Sequence, residues 1–337
     1  MSGIDEIAQK ASVSKTAVSF ALNDKPGISE ATRANILKIA KQIGFEHRKK
    51  NAVRVGVAGN VGFVKIAAHG HIVNRDHDVF IADYIYGISQ ECKKHHLDFT
   101  LFESSSPDLS ALNALDLKNC SGLIILGTEL SAAEITTMAR QKIPTVFLDT
   151  YFDFLPYNFV TMNNRDALLS IITLLKNSNL SDIKMISTEL ECANFREREK
   201  SYFEVMEHLG LPVGPDSLFK LDPTFLGAYS GMNKLLRQNT KLPQAFICAN
   251  DIIALGCIKA IKENGLKIPQ DISITGFDDL PGSAMMDPAL TSYQVPKEYI
   301  GKIGTQILVE ATGKKKKEFS TIKTKIDGKL IVRDSTP

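Results

Sequence analysis

From about residue 60 to the C-terminus, short apolar runs alternate with longer segments in which apolar residues recur at helical spacing. The apolar runs with the length and composition of strands are 61–67, 99–102, 122–126, 145–148, 183–187, 245–248 and 272–276. The clearest helical segments are 80–95, 132–141, 165–177, 196–209, 226–238 and 251–264. Because strands covered by helices on both faces form continuous apolar runs, this alternation predicts an α/β fold with doubly wound parallel sheets.

The length of 337 residues is more than one hydrophobic core normally supports, so a small N-terminal unit and a larger body are expected. Within the body, the alternation of strands and helices predicts two half-domains, joined by strands that cross between them near 149–160 and 291–294. Two sheets arranged in this way enclose a cleft at the carboxyl ends of their strands, where doubly wound folds bind ligands.

Polar side chains directly follow several of the predicted strands. Three strand ends carry acidic or amide groups, namely Asp149, Asn250 with Asp251, and Asp278 with Asp279. Arg196 and Arg198 stand at the start of the helix that follows 183–187. Carboxylates and guanidinium groups together offer acceptors and donors to neighbouring hydroxyls, so the cleft is expected to bind a small polar molecule. A carboxylate at a strand end is also a common helix cap, and we favour that role for Asp251.

Residues 4–45 have a different pattern, that of three short helices with a polar ridge. Ser14 is a good N-cap for the second helix, whose apolar residues fall on one inward face. Lys15 and Thr16 then lie outward in the first turn, where a recognition helix meets base edges. The pattern predicts a DNA-reading module, and the alternative is a three-helix bundle that only holds protein partners.

The charge distribution favours the first of these alternatives. The first 50 residues hold nine Lys or Arg against five Asp or Glu, an excess of four positive charges in a chain of net charge +2. A basic segment binds the DNA backbone through counterion release, whereas the remaining residues, at −2, have no comparable attraction to polyanions. The basic N-terminal segment is therefore the expected DNA-binding end.

Specific motifs strengthen both predictions. Residues 11–23 read A-x-V-S-K-T-A-V-S-x-A-L-N, and I-S-x-x-T-R and I-G-F follow before residue 46. The core contains F-L-D, R-x-R, A-N-D-x-x-A-L-G and G-F-D-D, which end the strands described above. Through almost all of its length the chain resembles the lactose-repressor family of bacterial transcription regulators. The resemblance implies a helix-turn-helix headpiece and an effector-binding core similar to periplasmic sugar-binding proteins.

The resemblance also implies roles for individual residues. The family's base-contact positions correspond to Lys15, Thr16 and Phe20. Its phosphate-contact positions correspond to Ser14, Ser19, Asn23 and Ser29. Its effector ligands correspond to Arg198, Asn250 and Asp278, with Asp149 and Phe80 lining the other half of the cleft. The chain departs from the family at Ala17, where Thr is usual, and at Phe20, where Arg is usual.

The resemblance is weakest at 48–60, between an expected headpiece of residues 1–47 and an expected core of residues 61–337. The family places a P-N-x-x-A-R-x-L hinge helix here, whose leucine wedges into the minor groove. This chain has H-R-K-K-N-A-V-R-V-G-V-A-G-N, in which valines and glycines disfavour a helix. We favour a degenerate hinge, and the alternative is that 53–58 is the first strand and no hinge exists.

Other classes of protein are disfavoured by what the sequence lacks. Its five cysteines are odd in number and scattered, which argues against disulfides and is typical of a reducing cytoplasm. No apolar stretch approaches 18 residues and no leader is visible, so we expect neither export nor membrane spanning. No motif of a catalytic serine, nucleotide loop or metal site is complete, so we expect no enzyme activity, no metal and no cofactor.

The sequence thus predicts a cytoplasmic, homodimeric regulator that binds operator DNA. A small polar effector, a sugar or sugar phosphate, is expected to control operator affinity by shifting the angle between the half-domains. The dimer is expected to pair through 80–95 and the segment near 108–116. The alternative is a sugar-binding sensor or solute-binding protein that binds DNA weakly or in a non-standard way because its hinge is degenerate.

Overall fold

The computed structural model describes residues 3–22, 27–43, 59–108, 113–140, 142–190, 192–238, 242–313 and 320–337. Contacts divide the chain into two compact units, Met1–Val55 and Gly56–Pro337. Asn23 and residues 48–58 of the expected hinge lie outside the described residues. The domain boundaries at 47 and 60, and the nature of the hinge, therefore stay predictions.

The N-terminal unit contains three helices, α1 (Gly3–Lys10), α2 (Lys15–Leu22) and α3 (Glu30–Gln42). Ser14 Oγ accepts the N–H of Ala17 at 3.1 Å at the start of α2, and Ser29 Oγ accepts the N–H of Thr32 at 3.2 Å at the start of α3. The helices turn their apolar side chains into one small core, formed by Ile7, Ala8, Val18, Ala21, Leu22, Ile36 and Ala40. The predicted three-helix headpiece is confirmed.

The C-terminal unit has two lobes. The first lobe is built on six parallel strands in the order β11-β5-β4-β3-β1-β2. These strands are β1 (Asn60–Ile66), β2 (Asp98–Ser104), β3 (Cys120–Leu126), β4 (Thr145–Leu148), β5 (Asn158–Met162) and β11 (Lys323–Ile326). Its helices are α4 (Asp78–Lys94), α5 (Ala132–Ala139) and α11 (Lys297–Gly313).

The second lobe repeats this plan with strand order β12-β10-β9-β8-β6-β7, in which only β12 runs antiparallel to its neighbour. Its strands are β6 (Ile183–Ser187), β7 (Leu218–Lys220), β8 (Ala245–Cys248), β9 (Ser273–Asp278), β10 (Thr291–Gln294) and β12 (Lys329–Ile331). Its helices are α6 (Asn164–Asn177), α7 (Ala193–His208), α8 (Phe225–Arg237), α9 (Asp251–Glu263) and α10 (Pro281–Met285). The two doubly wound sheets confirm the predicted fold class.

The chain passes between the lobes three times, within 162–164, 294–297 and 326–329. The first crossing lies later than the predicted 149–160, because 158–162 is itself a strand of the first sheet. The third crossing was not predicted. It joins β11 and β12, two short edge strands whose lysines break the apolar run that identifies a strand from sequence.

In the first lobe, α4 and α11 cross in backbone contact. A Cβ on Gly87 would lie 2.0 Å from the carbonyl oxygen of Glu298, and one on Gly301 would lie 2.6 Å from that of Tyr84. Glycine is required at this crossing because any side chain would force the helices apart. No helix in the described part of the chain is long and apolar enough to cross a membrane.

Candidate functional site

A cavity lies between the two lobes, at the carboxyl ends of strands from both sheets. All five residues expected to bind the effector line it, namely Phe80, Asp149, Arg198, Asn250 and Asp278. Each of these side chains is buried. The cavity volume is about 30 Å³, which is room for about two water molecules. The structure therefore brings the predicted residues together between closely apposed lobes.

Asp149, directly after β4, is held by side chains from both lobes. The Tyr84 hydroxyl donates to its Oδ1 at 3.0 Å, and the Thr128 hydroxyl donates to its Oδ2. Asn194 Nδ2, from the second lobe, donates to both the main-chain oxygen and Oδ1 of Asp149 at 2.9 Å. Burial raises the pKa of Asp149, although these donors and Arg198 oppose the shift.

Arg198 extends from the first turns of α7 across the floor of the cavity. Its Nε donates to Asn164 Oδ1 at 2.9 Å and its Nη1 donates to the carbonyl oxygen of Ala249 at 2.5 Å. The guanidinium carbon lies 3.6 Å from the centroid of the Phe277 ring. These contacts fix the guanidinium plane, so that it presents its remaining N–H groups in one direction.

Asp278, the last residue of β9, is not held by side-chain hydrogen bonds in the way that Asp149 is. Its Oδ1 is buried and accepts no hydrogen bond from the described part of the chain, and Arg198 Nη2 is 3.8 Å away. Burial raises the pKa of Asp278 to about 8, with Arg198 opposing the shift. Lys297 Nζ donates to the main-chain oxygen of Asp278 at 2.8 Å. A buried carboxyl oxygen that accepts no hydrogen bond from the described residues is available to a ligand at this cavity wall.

The neighbouring Asn250 and Asp251 have roles that differ from those expected. Asn250, not Asp251, caps α9, because its Oδ1 accepts the N–H of Ile253 at 2.9 Å. Asp251 instead ties together the loops around the cavity. Its carboxylate accepts hydrogen bonds from the Leu280 N–H and from the hydroxyls of Ser283 and Ser292, at 2.6–2.7 Å. The expected cap is thus a loop-fixing residue.

Three further polar residues that the sequence did not single out for this site also line the cavity: His77, Thr128 and Asn194. Thr128 lies two residues beyond β3, and Asn194 is in the first turn of the helix that follows β6, so the strand-end rule could have found both. His77 Nε2 lies 2.9 Å from Asn250 Nδ2 in the opposite lobe. Nothing in the local sequence indicates that contact.

The expected DNA-contacting residues form a surface on the N-terminal unit. Ser14, Lys15, Thr16 and Ser29 are exposed, whereas Ser19 and Phe20 are half-buried. The Phe20 ring packs against the turn at Gly27, where an added Cβ would lie 3.0 Å from the ring. Lys15 Nζ forms an exposed ion pair with Asp5 Oδ1 at 2.6 Å.

Known proteins share both units. Residues 3–47 match the profile of bacterial regulatory proteins of the lacI family, and residues 172–336 match a periplasmic-binding-protein-like domain. The chain is 28% identical over 318 residues to the HTH-type transcriptional repressor PurR of Aliivibrio salmonicida, covering 92% of each chain.

Two solved structures have the same fold over nearly the whole chain. The lac repressor dimer bound to operator and the anti-inducer ONPF has a TM-score of 0.72 and 21% identity, covering 98% of this chain and 97% of that one. The complex of the transcriptional regulator CelR with cellobiose has a TM-score of 0.70 and 18% identity, covering 98% and 99%.

A helix-turn-helix unit followed by a two-lobed α/β core with a polar interlobe cavity defines a transcription regulator that reads DNA and responds to a small molecule. The chain belongs to the lacI family of bacterial regulatory proteins.

Proposed function

We propose that this regulator binds an uncharged, hydroxyl-rich molecule of the sugar type between its lobes, and that binding controls its affinity for operator DNA. The observation that carries the proposal is the buried Asp278 Oδ1, which accepts no hydrogen bond from the described residues and lies 3.8 Å from Arg198 Nη2. Neighbouring hydroxyls of a sugar can donate to the first group and accept from the second. The CelR structure, of the same fold, is a complex with cellobiose, which supports this class of ligand.

The charges around the cavity favour a neutral sugar over a sugar phosphate. Asp149 and Asp278 are both buried at the cavity wall, and Arg198 is the one cationic side chain among the described residues that line it. Its guanidinium already donates to Asn164 and Ala249. A phosphate would bring close to two negative charges beside the buried Asp149 and Asp278 carboxyls and would oppose the ionisation of both.

The small volume of the cavity requires the lobes to separate when a sugar enters. A space of about 30 Å³ does not hold a pyranose ring. We propose that this change in lobe angle is transmitted to the headpieces of a homodimer and so alters operator affinity. As a regulator of transcription in a bacterial family, the protein is proposed to act in the cytoplasm.

For operator reading we propose the surface at α2 and the start of α3. Lys15, Thr16 and Phe20 are proposed to contact bases, and the phosphate contacts are proposed to be Ser14, Ser19, Asn23 and Ser29. An apolar ring packs against the methyl group of thymine but donates no hydrogen bond to guanine. Selection from randomised DNA should therefore return thymine at the Phe20 step. An invariant guanine there, lost in Phe20→Ala, contradicts the assignment.

The effector proposal is tested by calorimetry and thermal unfolding of the full chain with D-glucose, D-galactose, cellobiose and glucose 6-phosphate. A ligand at a hundred times its Kd adds about 2.7 kcal/mol to stability, which is easily measured. We expect a neutral sugar to bind, and Arg198→Ala to weaken it about tenfold or more. Arg165→Ala, at an exposed arginine of the same lobe, is the matched control. Tighter binding of the phosphate, or no binding by any of the four, contradicts the proposal.

A further inference from the structure

The loop between β1 and α4 reaches across the cleft from the first lobe to the second. It contains three histidines, and two of them meet residues of the second lobe. His71 Nδ1 is 4.0 Å from Asp222 Oδ2 at the outer contact. His77 Nε2 is 2.9 Å from Asn250 Nδ2 at the inner contact, beside the cavity. The same loop therefore joins the lobes at two points.

A buried carboxylate holds this loop in place. Glu129 Oε2 accepts the N–H groups of His69 and Gly70 at 2.9 and 3.0 Å. Its Oε1 accepts those of Ile72 and Val73 at 2.8 and 2.7 Å. Burial acts to raise the pKa of Glu129, but the backbone donors outweigh it and hold that pKa below its usual value. Four backbone hydrogen bonds to one ionised carboxylate fix the loop, so His77 is preorganised at the cavity.

The hydrogen bonds of Asn250 determine which partner donates at the inner contact. Asn250 Oδ1 accepts the N–H of Ile253, so the amide nitrogen must face His77. An amide NH₂ group only donates, and His77 Nε2 must therefore accept and carry no proton. On the other side of the ring, Nδ1 is 3.4 Å from Asn74 Oδ1, which accepts the N–H of Asp76. Nδ1 therefore carries the proton.

The protonation of His77 agrees with this geometry. Burial lowers the pKa of His77 to about 4, against the nearby Asp76 and Glu129, which act to raise it. The ring is 4% exposed and stays neutral at physiological pH.

We infer that His77 is a specificity-determining residue of the effector site. It holds the two lobes together by accepting a hydrogen bond from Asn250, and this His77–Asn250 contact is called the latch below. The inference rests on the proposed function. When an effector separates the lobes, the acceptor His77 Nε2 and the donor Asn250 Nδ2 are left facing each other across the cavity. A hydroxyl satisfies both groups, because its hydrogen donates to Nε2 while its oxygen accepts from the amide. A methyl group satisfies neither, so the site selects a hydroxyl at this position.

The latch is tested without any ligand through the reactivity of Cys192. This thiol lines the cavity and is 2% exposed, and burial raises its pKa to about 11, so it should react slowly while the lobes are closed. We expect His77→Phe, which keeps a ring but no acceptor, to increase its alkylation by N-ethylmaleimide about tenfold. His77→Gln retains an acceptor and should stay within about threefold of wild type. Mass spectrometry of the full-length protein gives the rate at each cysteine.

Controls separate opening of the cleft from loss of the fold. Cys92 and Cys257 are buried in the cores of the first and second lobes. Their alkylation should be unchanged in His77→Phe, and a rise parallel to that of Cys192 overturns the inference. His208→Phe, at an exposed histidine at the end of α7, is the matched variant and should label like wild type.

Two further measurements test the acceptor directly. Nitrogen NMR of histidine-labelled protein should show His77 protonated at Nδ1 and not at Nε2, and the opposite tautomer overturns the latch. Whichever of the four sugars binds wild type should bind His77→Phe about tenfold more weakly, and equal affinity also overturns it. If none of the sugars binds, the proposed function fails, while alkylation and NMR still decide the latch.

Discussion

Asp278→Asn is expected to stabilise the protein at neutral pH, although it alters the candidate site. Burial raises the pKa of Asp278 to about 8, with Arg198 opposing the shift and Asp251 adding to it. An aspartate in an unfolded chain titrates near ~3.9. The pKa of Asp278 is therefore higher in the folded protein than in the unfolded chain. Below the unfolded pKa the carboxyl is protonated in both states, and its burial as a neutral group costs no stability through ionisation. Stability is then lost as the pH rises from the unfolded pKa towards the folded one.

The two pKa values give the size of the effect. They differ by about four units, and each unit corresponds to about 1.4 kcal/mol. At pH 7 the folded carboxyl keeps a proton that the unfolded chain releases, which costs folding about 4 kcal/mol. Asparagine has nearly the same shape and no charge to bury. We therefore expect Asp278→Asn to gain about 1–4 kcal/mol at pH 7, and the gain to vanish near pH 4.

Urea unfolding of the full chain at several pH values between about 4.5 and 8 measures this gain. Asp279→Asn is the matched control, because Asp279 Oδ1 is 2.7 Å from Arg333 Nη2 and the substitution removes the negative charge that pairs with this arginine. The control should destabilise the protein, so that adjacent aspartates have opposite effects. The reasoning is refuted if Asp278→Asn is no more stable than wild type at pH 7, or if its advantage does not grow with pH.

Three other predictions concern separate parts of the molecule. Lys15→Ala should weaken binding to selected DNA and relax the preference for one base, measured by fluorescence anisotropy on selected and base-substituted sites, and an unchanged preference would exclude a base contact. Gly87→Ala should destabilise the first lobe by about 1–3 kcal/mol in urea, because its Cβ would meet backbone at 2.0 Å, whereas Gly313→Ala, with open space around it, should not. Tyr86, 54% exposed on α4, is expected in the dimer interface, so Tyr86→Glu should shift sedimentation from dimer to monomer, and a wild-type monomer at micromolar concentration contradicts this.

Central strands were predictable from sequence because both of their faces are buried. The run Ala245–Cys248 is continuously apolar and Thr145–Leu148 is apolar after its first residue, and the predicted bounds of both are confirmed. The edge strands β11 and β12 lack this signal. Lys323–Ile326 alternates lysine with other residues and Lys329–Ile331 has only two apolar residues, so these segments become strands through pairing with distant strands.

Part of the polar wall of the cavity followed from the position of polar residues at strand ends. That rule located Asp149, Asn250 and Asp278, because parallel strands deliver their carboxyl ends to one edge of a sheet. It did not locate His77, which lies on a loop more than ten residues beyond β1. Its partner Asn250 is 173 residues away, and only the closed arrangement of the lobes brings the two together. Such contacts depend on tertiary geometry that no local pattern encodes.

The two cavity aspartates lie at equivalent points of the two lobes, and both are held at a cost in stability. Asp149 follows β4 with φ at +61°, and Asp278 ends β9 with φ at +111°, a backbone region that favours glycine. Burial raises the pKa of both carboxyls. Helix capping does not account for the pair, because Asn250 performs that role at α9 with an extended backbone. Strained backbone and buried carboxyls at matching positions around one cavity support the proposed shared ligand, which we expect Asp149 to contact from the first lobe and Asp278 from the second.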